Sequence, residues 1–314
     1  MSAIPRAATP RNGKTNTIGA SETVSVARLL RVALISLKHK EGDAAFNLDR
    51  HALWLERAVK AGARFVGFPE FALTGWVKDR RLALSLKSAP VRQIERLARK
   101  RRVFIATCFV EKRGARLHNT CLLAGPAGRL GVMRKVNLVA GESPDCTPGR
   151  EFPVFKVAGC TMGVTTCADA THFEMMNLLS LRGAELIFAP HANVLKPYGN
   201  HAAGWRKWRM ERWPLFARDA CVHILGCNNA GLFEKPEPTE APTKYCGGAM
   251  VIDFKGNVVA RDDAGKSKRE CMIVADLDIA ALRKARRTSE SLNEFRPSIV
   301  YNRKDGWEFG RRTE

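Results

Sequence analysis

Between residues 31 and 278 the chain changes period repeatedly, passing from short β-branched runs into helical stretches and back. RVALISL (31–37) has the composition of a buried strand. AAFNLDRHALWLERAVKAGA (44–63) has helical spacing, with Phe46, Leu53, Ala58 and Val59 among its apolar positions and Gly62 near its end. RFVGFPE (64–70) is a strand again. SAPVRQIERLARKRR (88–102) is a helix: Ser88 can cap it, Pro90 suits its first turn, and Val91, Ile94, Leu97 and Ala98 share a face. VFIATCFVEK (103–112) and NTCLLAGP (119–126) then follow as two strands joined by the turn RGARLH.

A second strand pair covers residues 152–167. A short helix (175–184), a strand (185–192), a long helix (201–220) broken or bent by Pro214, and a strand (222–231) come next. Residues 232–245 are Pro- and Glu-rich and read as a loop. Residues 247–261 read as a hairpin turning near DFKGN, and CMIVADLD (271–278) as a further strand. Sheets with both hairpins and helical crossovers need helices to cover them, which predicts an α/β (α+β) sandwich. A doubly wound dinucleotide fold is disfavoured, because no G-x-G-x-x-G follows the first strand and hairpins are too frequent. There are no internal repeats and no linker inside residues 28–300, so one domain is expected.

Composition sets further bounds. The 314 residues are 45% hydrophobic and 26% charged, which suits a sizeable soluble core. No apolar run reaches the roughly 18–20 residues of a membrane span. Residues 1–28 are polar, lack the apolar segment of a secretory signal, and read as a disordered tail. Nine cysteines, an odd number with no C-x-x-C pair, argue against a disulfide framework or a thiol-rich zinc site. They point to a reducing, cytoplasmic setting. The formal charge of +21 predicts nonspecific attraction to polyanions. Two basic clusters stand out. Residues 99–102 (RKRR) suit a solvated helix C-terminus. WRKWRMERW (205–213) interleaves Trp with Arg and Lys, so it reads either as a base-stacking surface or as an amphipathic helix with Trp205, Trp208 and Trp213 partly buried.

Chemistry concentrates at three strand ends. Glu70 follows an apolar strand and a proline in VGFPEFALTGW. It is either a site acid at the sheet rim or a capping acid. Lys135 in GVMRKVNL sits at a strand end and either snorkels or presents its ammonium to a developing negative charge. Cys167 in GVTTCADATH ends a β-branched run just before a helix start. A helix N-terminus and a nearby cation there would lower the thiol pKa. No G-x-S-x-G, H-E-x-x-H or papain-like signature is present.

Taken in order, FPEFALTGW with Glu70, RKVNLVAGE with Lys135 and Glu142, and GVTTCAD with Cys167 closely resemble the three blocks of the nitrilase superfamily, the carbon–nitrogen hydrolases. Further segments match in sequence order, including TPGREFPVFKVAGCTMGVTTC, RGAELIFAPHA, LGCNNAG, GGAMVIDFKGNVVAR, ADLD and FRPSIVY. The resemblance implies a four-layer αββα sandwich over residues 29–302, a C-terminal tail at 303–314, and a homodimer or higher oligomer. It implies a catalytic set of Glu70, Lys135, Cys167 and Glu142, with the Ala168 N–H toward the oxyanion. His172, the one cation shortly after the nucleophile, reads as a substrate contact or as a hydrogen-bonding helix-start residue, and Trp205 as an acyl-pocket residue or as core. No cofactor and no metal are implied. The implied reaction is hydrolysis of an amide or N-carbamoyl C–N bond through a cysteine thioester, releasing ammonia or an amine. Nitrile hydrolysis is one alternative. A noncatalytic protein on this fold, binding nucleic acid or acidic partners through its basic surface, is the other. Two departures bear on substrate. Ala168-Asp169 replaces the aromatic-acid pair common after the nucleophile, which disfavours nitriles. ADATHFEMM carries no Arg of the kind that binds the carboxylate of carbamoyl amino acids. On the long helix, FARDA (216–220) keeps only an acid, Asp219, of an R-A-x-E-N stretch common in the family.

Overall fold

The computed structural model describes residues 29–194, 201–233, 243–262 and 269–289, with the short pairs 307–308 and 311–312. Side chains of 201–206 are outside the described set. Strands β1 (Leu29–Ser36), β2 (Phe65–Gly67), β3 (Phe104–Arg113), β4 (Arg116–Gly125) and β5 (Gly128–Arg134) form the first sheet. The second sheet begins with β6 (Val154–Val157), β7 (Cys160–Val164), β8 (Leu186–His191) and β9 (His223–Asn228). A two-residue pairing, β10 (Leu232–Phe233) with β11 (Thr243–Lys244), precedes β12 (Ala249–Ile252), β13 (Val258–Asp262) and β14 (Cys271–Asp278). The six-stranded orders are β14-β1-β2-β3-β4-β5 and β13-β12-β9-β8-β7-β6.

The helices are α1 (Ala44–Lys60), α2 (Ala89–Arg101), α3 (Phe173–Leu181), α4 (His201–Asp219) and α5 (Ile279–Thr288). Both sheets are built alike. β1-α1-β2-α2-β3 and β7-α3-β8-α4-β9 each lay three parallel strands side by side through two crossovers. One apolar cluster lies between α1, α2 and the outer face of the first sheet. A larger one fills the gap between the sheets and the space under α3 and α4. The αββα sandwich expected from the sequence is therefore observed.

Local sequence explains the helix ends. The Asp43 side chain accepts from Phe46 N–H at 2.9 Å, and Arg57 and Lys60 lie in the last turn of α1. Its buried residues Asn47, His51, Trp54, Leu55 and Ala58 follow helical spacing. In α2, Pro90 occupies the first turn, the basic run Arg99–Arg101 closes the last turn, and Arg102 ends it in the left-handed conformation.

Some expectations need correction. Of the two readings at Pro214, a break or a bend, the break is excluded, because α4 runs on through it. Leu232–Phe233 and Thr243–Lys244 are short strands inside the stretch read as loop. The strand end expected at Lys135 is that of β5, whereas α5 was not anticipated. WRKWRMERW lies within α4: Trp213 is fully buried, Arg209 is buried with its guanidinium 5.2 Å from the Trp213 ring, and the half-buried Trp208 packs on the core. The Trp213 ring, buried beneath the helix, is closed to stacking on a base. Among the described residues no helix is long and apolar enough to cross a membrane.

The two sheets approach closely at Gly67. A Cβ placed there would lie 2.5 Å from the Phe188 ring and 2.9 Å from Leu34. Gly67→Ala is expected to overpack this interface and cost about 1–3 kcal/mol in urea unfolding. An unchanged midpoint would show that the gap yields freely.

Candidate active site

Four polar residues meet at one rim of the sandwich, where strands of both sheets end. Glu70 lies three residues beyond β2, Lys135 directly follows β5, and Glu142 comes from the turn after it. Asn119 is an inward residue of β4. All four are buried. The Lys135 ammonium donates to Glu70 Oε1 at 2.9 Å and to Glu142 Oε2 at 2.6 Å. Asn119 Nδ2 donates to Glu70 Oε1 and Glu142 Oε1, each at 2.7 Å. The Lys135 N–H is itself held by Asn119 O at 2.8 Å.

Electrostatics follow from this burial. Burial works against the Lys135 ammonium, but Cys167, Glu70 and Glu142 outweigh it and hold its pKa well above the ordinary lysine value. Glu70 is pushed up by burial, against the pull of Lys135 and with a further push from Glu142. It is therefore a carboxylate of raised proton affinity.

Cys167 stands where β7 has ended, in the left-handed region at φ 50°. A non-glycine residue held there is strained, and such strain collects at working sites. Phe71, directly after Glu70, is held the same way at φ 58°. The residues from Cys167 to Thr171 form a 3-10 turn, and α3 begins at Phe173. The lowered thiol pKa expected from a helix N-terminus and a cation is not found. Burial raises the Cys167 thiol, Glu70 adds to that, and Lys135 offsets only part of it. The resting sulfur is a thiol, which needs a base to take its proton.

Asp169, two residues on, ties the nucleophile turn to the lysine strand. It is fully buried. Oδ1 accepts from Asn137 N–H at 2.7 Å and Asn137 Nδ2 at 2.9 Å. Oδ2 accepts from Thr166 N–H at 3.3 Å and Val136 N–H at 3.4 Å. Burial pushes its carboxyl up to about 6, against the pull of Asn137 and Lys135.

The remaining sequence candidates divide. Ala168 follows the sulfur in the 3-10 turn. His172 is exposed, and its backbone N–H donates to Asp169 O. No hydrogen bond joins the His172 side chain to the four-residue group. The side chain of Trp205 lies outside the described residues. Asn119, Asp169 and Asn193 were not anticipated as site residues. Asn119 is masked by its place in a continuous strand, and only its inward register in β4 marks it.

The carbon-nitrogen hydrolase family model matches residues 31–287. The chain belongs to the carbon–nitrogen hydrolase family. Its relatives include an (R)-stereoselective amidase of a Pseudomonas species, 28% identical over 270 residues, covering 85% of this chain and 92% of that protein. A nitrilase of Pyrococcus abyssi is 26% identical over 265 residues, covering 82% and 93%. The fold matches a carbon-nitrogen hydrolase from Helicobacter pylori G27 with a TM-score of 0.74, covering 88% of this chain and 98% of that one at 19% identity. As a carbon–nitrogen hydrolase, the chain is an enzyme of this class.

Two outcomes follow for this site. Lys135→Met leaves two buried carboxylates uncompensated and should cost about 3–5 kcal/mol. Glu70, whose pKa Lys135 pulls down against burial, then gains proton affinity in the fold, so the loss should be larger at pH 8 than at pH 5 in denaturant titrations. Asp169 has a folded pKa raised above its ordinary value of 3.8 to about 6. Its contribution is therefore present at low pH and fades as pH rises through about 6. Relative to Asp169→Asn, the wild type should lose stability between pH 4 and 6, by on the order of 3 kcal/mol. A stability difference flat across that range would contradict the assignment.

Proposed function

We propose that the protein hydrolyses the C–N bond of a carboxamide or N-carbamoyl group through a thioester on Cys167. The observation that carries this reading is Lys135, held between Glu70 and Glu142 at 2.9 and 2.6 Å in a buried rim. Such a group has one base, one fixed cation and one support for that cation.

Glu70, with its raised proton affinity, takes the Cys167 proton as Sγ forms a bond to the carbonyl carbon. The carbonyl π pair moves to oxygen, and the Lys135 ammonium with the Ala168 N–H receives that charge. Glu70 returns the proton to nitrogen, the C–N bond breaks, and ammonia or an amine departs. Water then loses a proton to Glu70 and adds to the thioester. Collapse releases the acid and returns the proton to sulfur. Glu142 and Asn119 keep Lys135 and Glu70 in register throughout.

The amidase relative supports an amide substrate. Ala168 in place of an aromatic residue after the nucleophile weighs against nitriles.

The test is ammonia release from a panel of small amides, N-carbamoyl amino acids and nitriles. Cys167→Ala should abolish release, and Glu70→Gln should lower kcat by about 10²–10⁴. Release that persists in Cys167→Ala would sink the mechanism.

A further inference from the structure

The polar groups nearest the nucleophile are almost all committed to one another. Lys135 is bound by two carboxylates, and Asp169 accepts four N–H groups. Asn119 Nδ2 is shared between Glu70 and Glu142, while its Oδ1 has no partner among the described residues. Asn193 is the residue that leaves a donor unpaired. It lies two residues beyond β8, and the Cys167 thiol donates to its Oδ1 at 3.8 Å. Its Nδ2 is buried and has no hydrogen-bond partner among the described residues.

Asn193 is also firmly placed. Its backbone N–H donates to Asn228 Oδ1 at 2.9 Å, and its carbonyl accepts from Asn228 Nδ2 at 3.1 Å. The carbonyl accepts as well from Cys246 N–H at 2.8 Å. One fully buried carboxamide thus grips the backbone of another residue from both sides. The Asn193 side chain has no part in that grip. A buried N–H₂ without a partner is costly, and such a group in a native fold calls for a reason. The carboxamide turns its oxygen to the Cys167 thiol, and its N–H₂ stays unpaired. An unpaired donor thus belongs to the residue that touches the atom that will carry the acyl group.

We propose that Asn193 is a specificity-determining residue, and that it selects carboxamides bearing a hydrogen-bond acceptor on the α-carbon, a 2-hydroxyl being the smallest. This rests on the amide-hydrolase reading above. When Sγ is bonded to the carbonyl carbon, the α-carbon and its substituents are the next atoms out from sulfur. An acceptor there satisfies Nδ2. A methyl group of similar size leaves it buried and unpaired, and sites built to hydrogen-bond a substrate reject the analogue that lacks the group.

Lactamide and isobutyramide differ only by hydroxyl against methyl at the α-carbon. Their kcat/KM values should be compared for wild type, Asn193→Ala and Asn193→Leu, each enantiomer of lactamide separately. Circular dichroism establishes that each variant is folded. Asn193→Ala keeps every backbone contact of the position, so it serves if the leucine does not fit. The wild type should prefer one lactamide enantiomer by at least about tenfold. In the variants the ratio should fall to about one or below. A ratio near one in the wild type, or a preference that survives both substitutions, overturns the role of Asn193 while leaving amide hydrolysis standing. Failure of the wild type to turn over any amide, including those of the wider ammonia-release panel, overturns the amide-hydrolase reading itself and this assignment with it.

Discussion

A lysine buried between two glutamates sets the terms for the rest of the molecule. Lys135 contacts Glu70 and Glu142, and all three side chains are almost wholly buried. Removing such charges from water costs several kcal/mol per ion, and only good geometry repays it. That geometry draws on four separate segments: the turn after β2, an inward position of β4, the end of β5 and the turn that follows. None can drift without leaving a buried charge unpaired. The same burial that makes the group costly also raises the proton affinity of Glu70 and keeps Cys167 a thiol. The proposed base and nucleophile thereby share one buried environment.

The nucleophile reaches this group from the other sheet, and Asp169 is what holds it there. Its carboxylate takes N–H groups from the segment after Lys135 and from Thr166 beside the sulfur. A second tie runs through Asn229, whose Nδ2 donates to Glu70 O at 2.6 Å. A third joins Ser36 Oγ to Asn228 O at 2.8 Å. Phe71 and Cys167, both at positive φ, directly follow Glu70 and Thr166, two of the residues these ties hold.

Much of this was legible in the sequence, for physical reasons. Alternating apolar runs and helical spacing announced the sheets and their covering helices. Glu70, Lys135 and Cys167 drew notice as polar residues ending apolar strands, each a weak signal alone. The family resemblance joined them into one set with Glu142. Other features had no local signature. Asn119 sits inside a continuous strand and counts only because of which face it turns inward. Asp169 looks like a capping residue until Asn137 is seen across the sheet boundary. The thiol pKa was read in the wrong direction because neighbours in the chain suggested a helix N-terminus. Neighbours in space supplied two carboxylates and a dry surround instead. WRKWRMERW misleads similarly: its spacing fits either a helix or a stacking surface, and only packing against β9 and β12 decides.

The close approach at Gly67 has a consequence for how this protein fails. Base and lysine hang from one sheet, sulfur and Asn193 from the other, and the slab of side chains between them sets their separation. Chemistry of this kind tolerates errors of well under an ångström before rates fall steeply. On the proposed mechanism, catalysis serves as a gauge of sheet spacing. Heating or denaturant that loosens the interior by a small fraction of its thickness is then expected to silence the enzyme while its strands and helices still stand.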